Sequence, residues 1–503
     1  KDKYGNDKRF FYSQPIKFSA RYVRITSQQI GLKMNEAIFQ DANGDRIPAT
    51  VIAQLNVMEE STLYSDANNI LDEQDTLEGL PSWWNSTYFD EIYHARTAYE
   101  HLHGTAPYET SHPPLGKVIM SLGIAIFGMV PFGWRVMGAL AGILMLPAMY
   151  LLGKQLTKKS SFAFAAALML ALDCQHFTQT RIATIDSYPV LFILFSWLFM
   201  LRFMQRDIVR LPVKNLLPDL ALSGLFMGLG IASKWIGVYS GAGLAVAFFW
   251  TIFRHMRMAA TSAHLLKTDK SLSDEDRKIL TLRDQTTMKR VLVICLWCLL
   301  FFVAIPLAIY LLAYIPYFAY AHFDNLKDYL TAVWNAQLSM FSYHSKPGLG
   351  MDHPFYSPWY EWIFNQRPMY YASPTYVNTP GWSYAIWCFG NPAIWSAALV
   401  GFAYTVFMWA KRHRYTLRKD GETLHWTAAD WDVTMPFLLL SALSQFLPWV
   451  LVPRGTYIYH YFATTPFLML SITVLFRDIT RRFPKTGKWL LVIFLVVCLV
   501  MFV

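Results

Sequence analysis

Acidic and basic side chains in this sequence stand at the ends of long apolar segments, where they could transfer a proton and bind an anion. The adjacent acids Asp90 and Glu91 follow an aromatic stretch, and Lys234 stands between two apolar runs. A carboxylate can act as a general base, and arginine and lysine bind phosphate. Similar positions are occupied by His112, Lys117, Arg135, Arg181, Asp186, Trp235, Arg454, Tyr457 and His460.

Each of these residues also has a purely structural explanation. An adjacent Asp-Glu pair is common in solvated loops. The stems of Arg135 and Lys234 can lie on apolar surface while their charged ends reach water. Histidine followed by two prolines at 112–114 suits the first turn of a helix. The functional interpretation therefore depends on these residues lying close together on one side of a membrane.

The composition predicts a mostly α-helical, polytopic membrane protein. Of 503 residues, 54% are apolar and 16% are charged, and the mean hydropathy is +0.27, which excludes an ordinary soluble protein. An aromatic content of 16% excludes a disordered chain. We predict ten spans, at about 134–153, 161–177, 187–203, 215–232, 236–253, 291–315, 391–410, 433–450, 457–476 and 489–503.

The distribution of Lys and Arg orients these spans. The loops on one side of the membrane, at 154–160, 203–214, 254–290, 411–432 and 477–488, hold 25 Lys and Arg residues. The loops and span ends on the other side hold nine from residue 81 onward. The positive-inside rule therefore places Asp90, Glu91, Arg454 and the 316–390 loop on the extracytoplasmic side. Leu115–Val130 is too short for a crossing, and we expect an interfacial or re-entrant helix there. Ten spans would leave both ends outside, so we expect a further crossing before residue 1.

The first 57 residues alternate in period two and predict a β-rich extracytoplasmic segment, similar to part of a discoidin-like sandwich. Strands are expected at 20–26, 36–40 and 47–55. A linker at 58–80, a first outer loop with interfacial helices at 81–133, and a transmembrane core at 134–503 complete the predicted organisation.

No metal, cofactor or nucleic-acid partner is expected. The five cysteines do not form two pairs at zinc-ligand spacing, and the net charge of +10 reflects the loops on one side of the membrane. Polar groups gathered on the other side predict a pocket for an anionic, partly membrane-bound substrate.

Taken together, several motifs resemble the protein O-mannosyltransferase family of GT-C glycosyltransferases. They fall in the family's order between about residue 85 and the end of the chain. The matching stretches are Phe89-Asp90-Glu91-Ile92-Tyr93-His94, His112-Pro113-Pro114-Leu115-Gly116-Lys117, Pro131-Phe132-Gly133-Trp134-Arg135, Thr178 to Ser187, Ser233-Lys234-Trp235-Ile236-Gly237 and Arg454 to Tyr461.

This resemblance implies a GT-C fold with about 10–11 transmembrane helices and metal-independent transfer of mannose from a polyprenyl-phosphate carrier to Ser or Thr of translocated proteins. It implies that Asp90 is the base and that Glu91 helps to hold the acceptor, and it matches Arg135 to an arginine of the family. Chemistry alone assigns Arg181 and Lys234 to the carrier phosphate, and Arg135 and Arg454 are expected to bind it as well. His112, Lys117, Asp186, Trp235, Tyr457 and His460 are expected substrate contacts.

Eukaryotic members carry a large MIR insertion for which the 316–390 loop is too short. The chain therefore resembles a bacterial member, expected in the cell membrane with its active site on the extracytoplasmic face.

Two alternatives remain open. A related GT-C enzyme could move another sugar or use a lipid acceptor, as in aminoarabinose transfer to lipid A, with the same carboxylate and cations. A transporter or flippase would instead predict two related halves with broken helices, which the sequence does not show. An oligosaccharyltransferase is disfavoured because Trp83-Trp84 is followed by Asn85 rather than Asp.

Overall fold

The computed structural model describes residues 19–26, 37–43, 45–54, 67–72, 87–372, 385–411, 417–420, 423–426 and 432–503. The chain divides into two compact units. One comprises residues 1–88 and 373–384, and the other comprises 89–372 and 385–503. All twelve predicted site residues belong to the second unit.

Within the described part of the first unit, the β-structure is smaller than the sequence predicts. Strands β1 (Phe39–Gln40) and β2 (Arg46–Ile47) form a two-residue antiparallel ladder. The strand expected at 20–26 is wrong, because those residues join no ladder and Tyr22, Val23 and Ile25 are exposed. The strand expected at 47–55 ends at Ile47. Alternating apolar residues stabilise a strand only where another surface covers them. Much of the linker predicted at 58–80 lies outside the described residues.

The second unit is built mainly from helices. They are α1 (Glu91–Leu102), α2 (Leu115–Phe127), α3 (Pro131–Thr157), α4 (Ser160–Ala171), α5 (Cys174–Gln179), α6 (Ser187–Met204), α7 (Leu217–Ser233), α8 (Ile236–Thr268), α9 (Asp274–Leu299), α10 (Ile305–Tyr317), α11 (Leu326–His344), α12 (Trp359–Trp362), α13 (Pro392–Lys411), α14 (Thr434–Phe446), α15 (Thr465–Arg482) and α16 (Pro484–Phe502). Two hairpins accompany them, β3 (Met369–Ala372) with β4 (Ile386–Cys388), and β5 (Leu417–Asp420) with β6 (Thr423–Trp426).

Most of the predicted spans overlap these helices, which confirms a mostly α-helical polytopic membrane protein. The span predicted at 457–476 is shifted, because Ile458–Ala463 form a 3₁₀ helix and α15 begins only at Thr465 and continues to Arg482. In the described chain, seven helical segments are long and apolar enough to cross a bilayer: Pro131–Thr157, Ser187–Met204, Ile236–Thr268, Asp274–Tyr317, Pro392–Lys411, Thr434–Leu451 and Pro484–Phe502. Helices α4 and α7 are shorter apolar helices. At 1.5 Å per residue, α2 is about 20 Å long, less than the ~30 Å hydrocarbon core, as expected for an interfacial or re-entrant helix.

The span predicted at 161–177 is wrong in its continuity, because the helix ends at Ala171 and restarts at Cys174. Asp173 lies at the break and is fully buried. Its carboxylate accepts hydrogen bonds from the backbone N–H of His176 (3.3 Å) and Asn391 (2.9 Å). The break therefore caps α5 and also joins it to the segment before α13.

The longest helical segment contains a widened turn. Residues Leu300–Ala304 form a π-turn between α9 and α10, just before Pro306. Because proline lacks an N–H and clashes with the preceding turn, a π-turn relieves the conflict. Helix α7 packs closely here, since a Cβ on Gly224 would lie 2.1 Å from the Phe301 carbonyl oxygen.

The Gly224→Ala variant should destabilise the protein, because the added methyl group forces α7 away from the π-turn. Overpacking of this kind costs about 1–3 kcal/mol, and thermal unfolding of the detergent-solubilised protein would measure it. Gly230→Ala in the same helix is the control, since its Cβ would lie 3.7 Å from Phe192 Cβ, an ordinary contact. Equal midpoints for Gly224→Ala and wild type would contradict the close approach.

Candidate active site

The predicted site residues lie where helices of the second unit begin or end. Asp90 precedes α1, and Asp186 precedes α6. Lys234 stands between α7 and α8, and Arg454 lies between α14 and α15. The charges of Asp186 and Lys234 both act on Asp90, and Tyr457 is within electrostatic reach of both Asp90 and Arg454. Segments far apart in sequence are thus brought to one place.

Asp90 is half-buried and has an unusual neighbour. Phe89 adopts a left-handed backbone conformation with φ 53°, which is uncommon for a residue other than glycine and often marks a functional position. Its ring packs on Tyr371 at 4.3 Å and on Tyr459 at 6.0 Å between ring centroids. These contacts hold the backbone that presents Asp90.

The carboxyl group of Asp90 is poised to exchange a proton near neutral pH. Burial, and to a smaller extent the charge of Asp186, raise its pKa to about 7 against the opposing charge of Lys234. No hydrogen bond or ion pair reaches this carboxylate from another described residue. A general base is most effective when its pKa lies near the working pH.

Glu91 lies next to Asp90 in sequence but has a different environment. It is fully buried and accepts two hydrogen bonds from Arg135, from Nε at 2.7 Å and from Nη2 at 2.8 Å. The backbone N–H of Ala183 donates a third at 3.0 Å. This arrangement ties α1 to α3 and to the segment before α6. It does not support the expected roles of Glu91 in holding the acceptor and of Arg135 in binding phosphate.

Asp186 and Lys234 form a second buried pair. Lys234 Nζ lies 2.7 Å from Asp186 Oδ1, and both residues are less than a tenth exposed. The ammonium group also lies 5.9 Å from the centre of the Tyr459 ring. The charge of Lys234 acts on Asp90, although the Asp186 carboxylate already neutralises part of it.

Arg454 contrasts with the other cations. It is half-buried, and no described carboxylate lies within ion-pair distance of it. Nearby, the Tyr457 hydroxyl donates to the Gly350 carbonyl at 3.1 Å, and the Tyr457 N–H donates to Nδ1 of the buried His460 at 3.0 Å. The segment is thus held in place while its guanidinium group remains available for an anion.

Arg181 lies in different surroundings. It is exposed, its Nε donates to the Phe177 carbonyl at 3.2 Å, and its guanidinium group lies 3.7 Å from the centre of the Phe177 ring. This placement does not support the phosphate-binding role expected from its sequence position.

Sequence reasoning missed Glu109, which organises the loop before α2. Its carboxylate accepts from Lys117 Nζ, from His112 Nδ1 at 3.0 Å and from the Ser111 N–H at 2.8 Å. Although burial alone would raise its pKa, Lys117 and His112 hold the pKa of Glu109 well below its ordinary value. The only available signal was an acid three residues before His112.

Lys117 has a structural role in this network, because it binds the loop before α2. It is fully buried, and its ammonium group also donates to the carbonyls of Glu109 (2.9 Å) and His112 (3.2 Å). The geometry therefore does not support a substrate contact by Lys117. His112 is half-buried, with its ring 5.2 Å from that of His344.

Trp235 joins this cluster from the start of α8. Its Nε1 donates to the Tyr310 hydroxyl at 3.1 Å, and its ring lies 5.8 Å from His344. Among the described residues, no group of three His, Cys, Asp or Glu side chains could hold a metal ion.

Comparison with known proteins adds independent information. The family model described as dolichyl-phosphate-mannose-protein mannosyltransferase matches residues 125–326. The model of the C-terminal four-transmembrane region of protein O-mannosyltransferase matches residues 329–503. The two models describe two regions of proteins of the same family, and together they cover most of this chain.

Curated relatives and a solved structure agree with this match. The polyprenol-phosphate-mannose–protein mannosyltransferase of Mycolicibacterium smegmatis is 24% identical over 80% of this chain and 79% of the relative. That of Mycobacterium tuberculosis is 25% identical over 80% and 77%. The Saccharomyces cerevisiae Pmt1-Pmt2 complex bound to the sugar donor shares the fold, with a TM-score of 0.64, 12% identity, and coverage of 83% of this chain and 86% of that chain. The chain therefore belongs to the protein O-mannosyltransferase family.

Proposed function

We propose that this protein transfers mannose from a polyprenyl-phosphate carrier to a Ser or Thr hydroxyl of a protein acceptor. Its relatives in M. smegmatis and M. tuberculosis carry this activity in their names. The observation that carries the proposal for this chain is Asp90, a half-buried carboxyl group with a pKa of about 7. It lies near Lys234 and within the same cluster as Arg454.

The reaction follows as a single displacement. The acceptor hydroxyl oxygen forms a bond to the anomeric carbon of mannose as the bond from that carbon to the phosphate oxygen breaks. Asp90 takes the hydroxyl proton, and the carrier leaves as a polyprenyl phosphate that holds the electron pair. Attack from the face opposite the phosphate inverts the anomeric configuration.

The developing phosphate charge requires a cation. Arg454 suits this role because it lacks a described carboxylate partner, whereas Lys234 is paired with Asp186. Lys234 contributes a positive charge beside the reacting groups, but it shares that charge with Asp186. We assign His112, Tyr457, His460 and Trp235 to the substrate pocket, and Asp186 acts through Lys234 and Asp90.

Glu91 and Arg135 act in this proposal as positioning residues. Removal of one partner of a buried ion pair is strongly destabilising, by about 3–5 kcal/mol. The bidentate Glu91–Arg135 pair fixes the start of α1, so it also fixes the backbone of the preceding residue, Asp90.

We further propose that this site faces the extracytoplasmic side of a bacterial cell membrane. The excess of Lys and Arg in the opposite loops supports this orientation. The mycobacterial relatives support the bacterial setting.

Asp90→Asn should abolish most mannose transfer, because an amide cannot accept the hydroxyl proton. Loss of a general base lowers the rate by about 10²–10⁴-fold. Radiolabelled mannose transfer from polyprenyl-phosphate-mannose to a Ser/Thr-containing peptide would measure it. Asp324→Asn, which changes an exposed acid of the 316–390 loop on the same side of the membrane, is the matched control and should keep full activity. Unchanged product with Asp90→Asn would remove this residue from the base role.

The rate should depend on pH through Asp90. The ionised form accepts the proton, so kcat/KM should rise with pH up to a plateau, with a midpoint near the Asp90 pKa of about 7. Asp186→Asn removes a negative charge that raises this pKa, so the midpoint should move to lower pH. A pH profile of peptide mannosylation measures the shift, and an upward or absent shift would contradict the electrostatic coupling.

Arg454→Gln should lower kcat by about 10²–10³-fold, the effect typical of losing one group that stabilises transition-state charge. Arg454→Lys should restore part of the rate, because it returns the charge without the planar guanidinium group. Lys346→Gln, which removes an exposed cation of the 316–390 loop, provides the control. If Arg454→Gln and Lys346→Gln gave equal rates, the carrier phosphate would not be bound at Arg454.

A further inference from the structure

Helix α11 lies in the segment that the sequence predicts as a loop outside the membrane. It contains 19 residues and is capped by the preceding Asn325, whose side chain accepts a hydrogen bond from the Asp328 N–H at 3.1 Å. Few of its side chains are fully buried. The exposed ones fall into two groups of opposite character, so the helix has three distinct faces.

One face packs against the end of α10. Val333 and Met340 join a hydrophobic cluster with Tyr314 and Tyr317. Two hydrogen bonds secure the contact. The Tyr329 hydroxyl donates to the Leu311 carbonyl at 2.6 Å, and Gln337 Nε2 donates to the Tyr314 hydroxyl at 2.9 Å. This face therefore fixes the helix against the last two turns of a membrane span.

A second face is apolar and exposed. Its members recur at intervals of three or four residues, so they form one stripe along the helix. They are Leu326 (70% exposed), Leu330 (39%), Trp334 (63%), Leu338 (51%) and Phe341 (64%). A surface cavity of about 440 Å³ opens at one end of the stripe and is lined by Leu326, Leu330 and Trp334 together with the exposed Lys327 and Thr331. The stem of a lysine can lie along such a stripe while its ammonium group reaches water.

The third face is polar and also exposed. It carries Asp328, Thr331, Asn335, Ser339 and Ser342. A helix with one apolar and one polar exposed face suits the boundary between hydrocarbon and water, where each face meets its preferred surroundings.

We propose that the α11 stripe is seated in the lipid of the bilayer leaflet on the side of the active site, with the polar face toward water. The adjoining span shows where the lipid lies, because Leu307, Leu312 and Ile315 of α10 are each more than half exposed. In a membrane protein such residues face acyl chains, and the α11 stripe continues this surface. Residues 326–344 of the 316–390 loop thus form an interfacial helix.

This placement connects the membrane surface to the active site. At the C-terminal end of α11, His344 Nε2 donates to the Ser111 carbonyl at 2.7 Å. Ser111 stands between Glu109 and His112 in chain order, within the network described above. The lipid-seated helix therefore supports the loop that carries these residues. The proposal concerns membrane placement and does not depend on which sugar or acceptor the enzyme uses.

Spin-label accessibility tests the proposal on the full chain in vesicles of phosphatidylethanolamine and phosphatidylglycerol without polyprenyl lipid. Nitroxide labels would be placed at Leu330→Cys and Asn335→Cys. The background replaces the five native cysteines by alanine, and the labels are introduced only after its thermal unfolding midpoint has been matched to that of the wild type. Collision with oxygen reports lipid, and collision with a water-soluble nickel chelate reports water.

The proposal expects a several-fold higher ratio of oxygen to nickel collisions at position 330 than at position 335. High nickel accessibility at both positions would place the stripe in water and overturn the proposal. Protection of position 330 from both reagents would indicate a protein partner, such as a second copy, and would also overturn it.

A second measurement avoids the cysteine replacement. Leu330→Lys in the otherwise native chain should lower the thermal unfolding midpoint in the same vesicles by several degrees, whereas Asn335→Lys should leave it unchanged. Equal midpoints for the two lysine variants would contradict seating in lipid.

Discussion

A charge taken out of water at the end of a membrane span must find an opposite charge or a set of hydrogen bonds. This requirement explains much of the geometry at the site. Glu91 meets Arg135, Glu109 meets Lys117, and Asp186 meets Lys234. The first and third pairs join segments more than 40 positions apart in the chain, and the Glu109–Lys117 pair closes the loop before α2. Such pairs add little net stability, but each one specifies a single arrangement of the backbone around it.

The groups left outside these pairs are those best suited to chemistry. Asp90 is desolvated without a described partner, and its pKa rises to about 7 as a result. Arg454 is half-buried and has no carboxylate partner in the described chain. A paired carboxylate is a poor base because its partner stabilises the ionised form. The pairing of Glu91 thus helps to explain why Asp90, rather than its neighbour, is the proposed base.

Hydropathy alone predicted the helical membrane core, since a chain in lipid must satisfy its backbone hydrogen bonds internally and therefore forms helices. It did not predict the break at Asp173, where a buried carboxylate caps a new helix and contacts the segment before α13. It also failed for residues 20–26, because the alternation of apolar residues there is not matched by burial. Hydropathy also did not distinguish the two apolar faces of α11, because one of them packs against α10 and the other is exposed.

The sequence alone was sufficient to identify the family motifs, the helical fold class and the acidic pair at 90–91, because hydrophobic runs and short motifs consist of consecutive residues. Which charges neutralise one another was decided only in three dimensions. Arg135 reaches Glu91 across 44 positions in the chain, and Lys234 reaches Asp186 across 48. An ion pair depends on a separation of a few ångströms, and the chain sets that separation only when its helices pack.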